Sequence, residues 1–143
     1  MRNLVKTAMV LGGMLMLAGC SLGGERFAPG TWELEAWLAD AAQTRPTPRQ
    51  RDTVKLSAER AQRPMQRVMF GEFYQGVQGG EVSFKDGIIA GHLDQQAVAP
   101  FEAHQQIVTG TYSADRFEMR IAMPMIMGVQ TYQFVTGRLV KPD

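Results

Sequence analysis

The chain has one cysteine, Cys20, and two histidines, His92 and His104, among 143 residues. A single thiol cannot build the disulfide framework that staples small exported domains. Two imidazoles twelve residues apart fall short of the three or four ligands of a zinc site. Charge of one sign is missing too: 15 basic residues against 14 acidic ones offer nucleic acid no attractive field. Ala8–Ala18 is uncharged and apolar but only eleven residues long, where a bilayer-crossing helix needs about 20. No internal repeat is visible. No nucleophile or oxyanion motif accompanies the titratable residues, Glu102 and His104 included, so nothing points to an enzyme.

What is present begins at the N-terminus. Arg2 and Lys6 precede the short apolar run, and small residues end it, the pattern of a secretory signal peptide. Leu17-Ala18-Gly19-Cys20 resembles the bacterial lipobox at all four positions. That resemblance implies cleavage before Cys20, a diacylglyceryl thioether on its sulfur and an N-acyl chain such as palmitate. Lipidation would remove an otherwise unpaired thiol, and more than one chain gives stable anchoring, at about 0.8 kcal/mol per buried methylene. Ser21, where an aspartate favours the inner membrane in enterobacterial lipoproteins, leans towards the outer membrane. The expected organisation is a cleaved signal at 1–19, a lipidated N-terminus and tether at 20–28, and one β-rich domain at 29–143. Losing residues 1–19 removes two basic residues and no acidic ones, leaving a formal charge of −1.

Two hairpins can be placed with their register. Asp86-Gly87 suits a two-residue type I′ turn. It sets Phe84 opposite Ile89, Val82 opposite Gly91 and Glu81 opposite His92, with Val82, Phe84, Ile89 and Leu93 on one face. A turn over 113–116 sets Tyr112 opposite Phe117, Gly110 opposite Met119 and Val108 opposite Ile121. Its reverse face carries Thr109, Thr111, Glu118 and Arg120. One dry and one wet face argue for antiparallel sheet. "TWELEAWL" reads as a strand with Trp32, Leu34, Ala36 and Leu38 on one side and Glu33, Glu35 and Trp37 on the other. Residues 66–77 and 128–140 also read as strands, the inward face of the latter left open. Ser57 caps one short helix that Pro64 stops. Residues 42–52 read as an irregular crossing loop, and 95–105 as a second loop with room for a helical turn. The expected fold is mainly β: an antiparallel β-sandwich or partial barrel of six to seven strands with one short helix.

The body also resembles the proteobacterial family called domain of unknown function 3617. The residues that carry the likeness are Pro29-Gly30, Trp32-Glu33, Leu56-Ser57 with Glu59, and a C-terminal run. That run comprises Gly110, Tyr112, Asp115, Phe117, Met119, Met123, Gly128, Tyr132 and Gly137-Arg138-Leu139. The resemblance implies a small exported β-rich protein and supplies no catalytic residues. Its members commonly carry body cysteines that this chain does not have.

Four features compete as sites. Met119, Met123, Met125 and Met127 could offer thioethers to Cu(I), but their strand spacing continues the dry face of Phe117 and Ile121, so core packing is preferred. His92 opposite Glu81 reads as a solvated cross-strand pair. Residues 45–67 carry seven basic side chains against Asp52 and Glu59, and Arg60, Arg63 and Arg67 are the candidates for binding an anion such as a lipid headgroup. Trp37 on the glutamate face is either covered by the 95–105 loop, the preferred reading, or an exposed contact for a partner. The expected function is a non-enzymatic envelope lipoprotein, anchored through Cys20 to the bilayer on its periplasmic side. Its β domain would bind or support an anionic component or a protein partner, with no cofactor and no nucleic acid. The alternatives are a carrier of an apolar ligand and, behind it, a Met-rich Cu(I) protein.

Overall fold

The computed structural model describes residues 25–75 and 79–143. Leu17, Ala18, Gly19 and Cys20 lie outside the described residues, and the signal and anchor readings with them. Among the described residues no helix is long and apolar enough to cross a membrane.

Seven strands form one antiparallel sheet: β1 (Gly30–Ala39), β2 (Gln50–Leu56), β3 (Gly80–Lys85), β4 (Ile88–Gln95), β5 (His104–Ser113), β6 (Arg116–Ala122) and β7 (Tyr132–Pro142), in the order β2-β1-β7-β6-β5-β4-β3. The fold is mainly β, in one open sheet that does not close into a barrel. Between β2 and β3 lie α1 (Ala58–Ala61), α2 (Met65–Val68) and a π-helical turn, Met69–Phe73. This stretch links the two edge strands and touches both. A flat seven-stranded sheet would be about 29 Å wide, whereas Met65–Phe73 rises only about 14 Å. The sheet therefore curls around the helical stretch.

Both hairpin registers hold residue for residue: Phe84↔Ile89, Val82↔Gly91, Tyr112↔Phe117, Gly110↔Met119 and Val108↔Ile121. The turn chemistry and the period of two were sufficient there. Residues 66–77 were expected as a strand, and 66–73 are helical instead. Met65, Val68, Met69 and Phe73 are buried at i, i+3, i+4 and i+8, a helical stripe hidden inside an aromatic-rich composition. Ser57 does cap α1, its Oγ accepting from the Arg60 N–H at 3.3 Å. Pro64 ends that helix and also opens α2, where a missing N–H costs nothing. The crossing loop is shorter than expected, because Gln50–Leu56 pairs with β1 from Gly30↔Leu56 to Ala36↔Gln50. The 95–105 loop holds no helical turn; Val98 and Phe101 close a tight turn through reciprocal backbone bonds.

Phe27 sits at the centre of the core with 1% of its surface exposed. Its ring lies 5.2 Å from Trp32, 5.4 Å from Phe73 and 5.7 Å from Phe117. The Glu25 carbonyl accepts from the Met65 N–H at 3.2 Å. Residues 25–28, read as tether, are thus packed onto the fold, and free chain can begin only before them. In β7 it is Val135, Gly137 and Leu139 that face the core, and Tyr132, Phe134, Thr136 and Arg138 that face outward.

The two ends of the sheet differ. The chain enters at Gly30, beside Leu56, Pro142 and the 114–115 turn. At the far end lie loops 40–49, 96–103 and 123–131. The side of β1 that is covered also switches there: Leu38 is exposed, while Trp37 and Ala39 are buried.

Candidate functional site

The outer face of the sheet holds a groove of about 900 Å³. Period-two alternation places Glu33, Glu35 and Trp37 of β1 on this face, and β-pairing sets Arg138, Thr136 and Phe134 of β7 beside them. Across β6, Thr136 meets Glu118 and Phe134 meets Arg120, and across β5 these meet Thr111 and Thr109. The floor is thus a lattice of guanidinium, carboxylate and hydroxyl groups at strand spacing.

Most of its charges are paired within the protein. Glu35 accepts from Arg49 at 3.0 Å and lies 3.3 Å from Arg51, and Glu33 accepts from Arg138 at 3.1 Å. Arg120 Nε donates to the Thr109 hydroxyl at 3.3 Å. Glu118 is exposed and forms no ion pair among the described residues, while Arg116 reaches only Asp115, at 3.8 Å. The lining holds Glu33, Glu35, Asp115 and Glu118 against Arg49, Arg116, Arg120 and Arg138, a formal balance. Such a surface attracts neither a bare anion nor a bare cation strongly; it offers donors and acceptors to a polar partner.

Planar groups stiffen one side. Arg49 lies over Trp37, 4.0 Å from the ring centroid, and Trp37 stacks with Phe134 at 5.6 Å and 13°. Phe134 neighbours Tyr132 at 6.2 Å, and Arg120 covers Tyr132 at 4.5 Å. The Trp37 indole N–H donates to Gln43 Oε1 at 3.0 Å. Trp37 is buried, but loop 40–49 covers it rather than the expected 95–105 loop. The turn under Gln43 is held by Asp40, whose carboxylate accepts from the Thr44 hydroxyl and N–H. These bonds, the hydroxyl's first, hold the Asp40 carboxyl below its ordinary pKa of 3.8.

The other candidates separate in space. Arg60 pairs with Glu72, and Arg49 and Arg51 with Glu35. The basic stretch 45–67 is therefore divided between the outer face and the helices, with Arg63 and Arg67 exposed on the latter. The methionines do not share the dry face. Met119 is buried, and Met123 accepts from Gln106 at 3.4 Å. Met125 and Met127 are 61% and 97% exposed. β6 ends at Ala122; Pro124, without an N–H, cannot extend its ladder, and the alternation stops there. His92 does lie opposite Glu81, yet its Nδ1 meets Asp94 at 3.0 Å instead. His104 Nδ1 donates to the Glu102 carbonyl. Among the described residues no group of three or more His, Cys, Asp or Glu is placed to hold a metal ion.

The sequence marked Trp37 and the Thr109, Thr111, Glu118, Arg120 face, but not that they border one groove. The missing signal was the pairing of the first and last strands. Comparisons with protein families, with curated proteins and with solved structures found no match to this chain.

Proposed function

We propose that the protein is a non-enzymatic lipoprotein of the bacterial cell envelope, held on the periplasmic side through acylated Cys20. Its curled sheet binds a polar envelope partner along the outer groove. The anchoring half rests on Leu17-Ala18-Gly19-Cys20 behind a short apolar run, and the absence of an aspartate at position 21 favours the outer membrane over the inner. The binding half rests on one observation: the polar groups of the outer face are pre-aligned by strand register and ring stacking around a groove. Groups already held in place lose little entropy on binding.

An apolar carrier is less well supported. The space its ligand would need, between sheet and helix, is occupied by Phe27, Trp32, Phe73 and Phe117. A Cu(I) site is disfavoured by the scatter of the four methionines between core and loop.

Two measurements test the proposal. Mass spectrometry of the N-terminal peptide of the mature protein should find Cys20 at its start, carrying acyl chains; an unmodified thiol in an intact precursor overturns the anchoring. Glu118→Lys combined with Arg116→Glu leaves the core untouched and should abolish co-purification of the groove's partner with the membrane-anchored protein. Unchanged co-purification overturns the groove's role.

A further inference from the structure

The packed chain begins beside two unpaired guanidiniums. The Glu25 carbonyl accepts from the Met65 N–H at 3.2 Å, which fixes residue 25 to the first residue of α2. Arg63 and Arg67 stand on either side of Met65 in sequence. Both are exposed, and neither forms an ion pair among the described residues. Their neighbour Arg60 is held by Glu72. Burial of Met65, Val68 and Met69 in the core turns the other side of this stretch to water. Between positions 62 and 71 the exposed residues are Gln62, Arg63, Pro64, Gln66, Arg67 and Gly71, with no carboxylate among them. Glu59, in α1, is the nearest acid in sequence outside the Arg60–Glu72 pair.

The other side of the sheet differs in charge. The outer groove sets four carboxylates against four guanidiniums. There Glu33 holds Arg138, and Glu35 holds Arg49 and Arg51. An anionic plane is therefore attracted by the helical side and gains little net from the outer face.

We infer that Arg63 and Arg67 bind anionic phospholipid headgroups of the leaflet that holds the anchor. They thereby lay the domain on its helical side, with the outer groove turned away from the membrane. The inference rests on the anchoring proposed above. With Cys20 as first residue, five residues precede Glu25, and they reach at most about 18 Å. Whichever way the domain leans, the leaflet passes within that distance of Glu25, which is bonded to the residue between the two arginines. Acylation already confines the protein to the surface, so the guanidiniums supply orientation and need not supply affinity. A basic side chain near an anionic leaflet favours the bound arrangement about fivefold, and two multiply to about 25-fold. Rolling onto the outer face would present the headgroups with as many carboxylates as guanidiniums and forfeit that gain.

The test reconstitutes the purified mature protein, acyl chains included, in phosphatidylcholine vesicles with and without phosphatidylglycerol. Because Cys20 is the one native cysteine, Gln66→Cys and Thr111→Cys each offer a single site for a fluorophore, on the helical side and in the groove. Quenching by a headgroup-labelled lipid reports which side faces the bilayer. With phosphatidylglycerol the label at 66 should be quenched at least fivefold more than the label at 111. That preference should vanish in phosphatidylcholine alone and at high salt, a comparison that alters neither arginine. It should vanish in Arg63→Gln with Arg67→Gln and persist in Arg63→Lys with Arg67→Lys, both with the parent's thermal unfolding profile. Equal quenching at the two positions in anionic vesicles, or stronger quenching at 111, overturns the inference. So does a preference that survives neutral lipid or the glutamine pair, or one that the lysine pair loses. Acylation of Cys20 is measured by mass spectrometry on the same preparations. An acylated protein without the preference refutes the orientation and leaves the anchor standing; a free thiol at Cys20 refutes both.

Discussion

The guanidinium of Arg49 lies over the indole of Trp37, 4.0 Å from its centroid, while also donating to Glu35 at 3.0 Å. One side chain thereby clamps loop 40–49 onto the outer face and supplies the charge partner of a strand glutamate. A double-mutant cycle with Arg49→Ala and Trp37→Phe should give a coupling energy of about 0.5–1 kcal/mol in urea unfolding. A coupling near zero would mean that the two side chains contribute independently.

Phe27 behaves as core, not tether. Phe27→Ala should cost about 3–5 kcal/mol and lower the unfolding midpoint sharply. Substitution of the exposed Arg63 by Ala should stay within about 0.5 kcal/mol. Equilibrium unfolding of both variants checks the contrast.

Gly137 lies under the ring of Phe117, its cross-strand partner, and a Cβ there would collide with ring carbons. Gly137→Ala should destabilise by about 1–3 kcal/mol. Combining it with Phe117→Leu should give less than the sum of the two single losses, because the collision partner is gone. Strict additivity in denaturant melts would refute this packing.

Tyr112 is buried and its hydroxyl has no hydrogen-bond partner among the described residues. Removing an unsatisfied buried polar group relieves its desolvation cost. Tyr112→Phe should therefore be neutral or stabilising by about 1 kcal/mol, measured as a raised unfolding temperature. A loss of stability would show that the hydroxyl is satisfied in solution.

Asp40 gives a pH signature. Its folded pKa is depressed, so its contribution to stability is present above the ordinary value of 3.8 and disappears as pH falls through the lower folded value. In an NMR titration Asp40 should report a midpoint below 3.8. In Thr44→Val, which removes the hydroxyl donor, that midpoint should rise towards 3.8, and an unmoved midpoint would refute the assignment.

Local information specified both hairpins. Asp86-Gly87 and the alternation on either side of 113–116 specify their registers, since a slip of one residue would turn every apolar group to water. Local pattern is ambiguous where two periods overlap. Residues 65–73 are aromatic and apolar enough for a strand, and only the spacing of Met65, Val68, Met69 and Phe73 betrays a helix. The same holds at Met125 and Met127, where a strand pattern continues in sequence after Pro124 has ended the ladder.

By itself the sequence determined a β-rich body, two hairpins with their registers, the Ser57 cap and the separation of a wet face from a dry one. All of these rest on interactions between residues near one another along the chain. Only the tertiary structure decided that β7 pairs with β1, which brings Phe134 to Trp37 and Arg138 to Glu33. It alone decided that Phe27 closes the core and that loops 40–49, 96–103 and 123–131 lie at one end of the sheet. Those outcomes depend on contacts between distant segments, where burial, and not local preference, selects the partner.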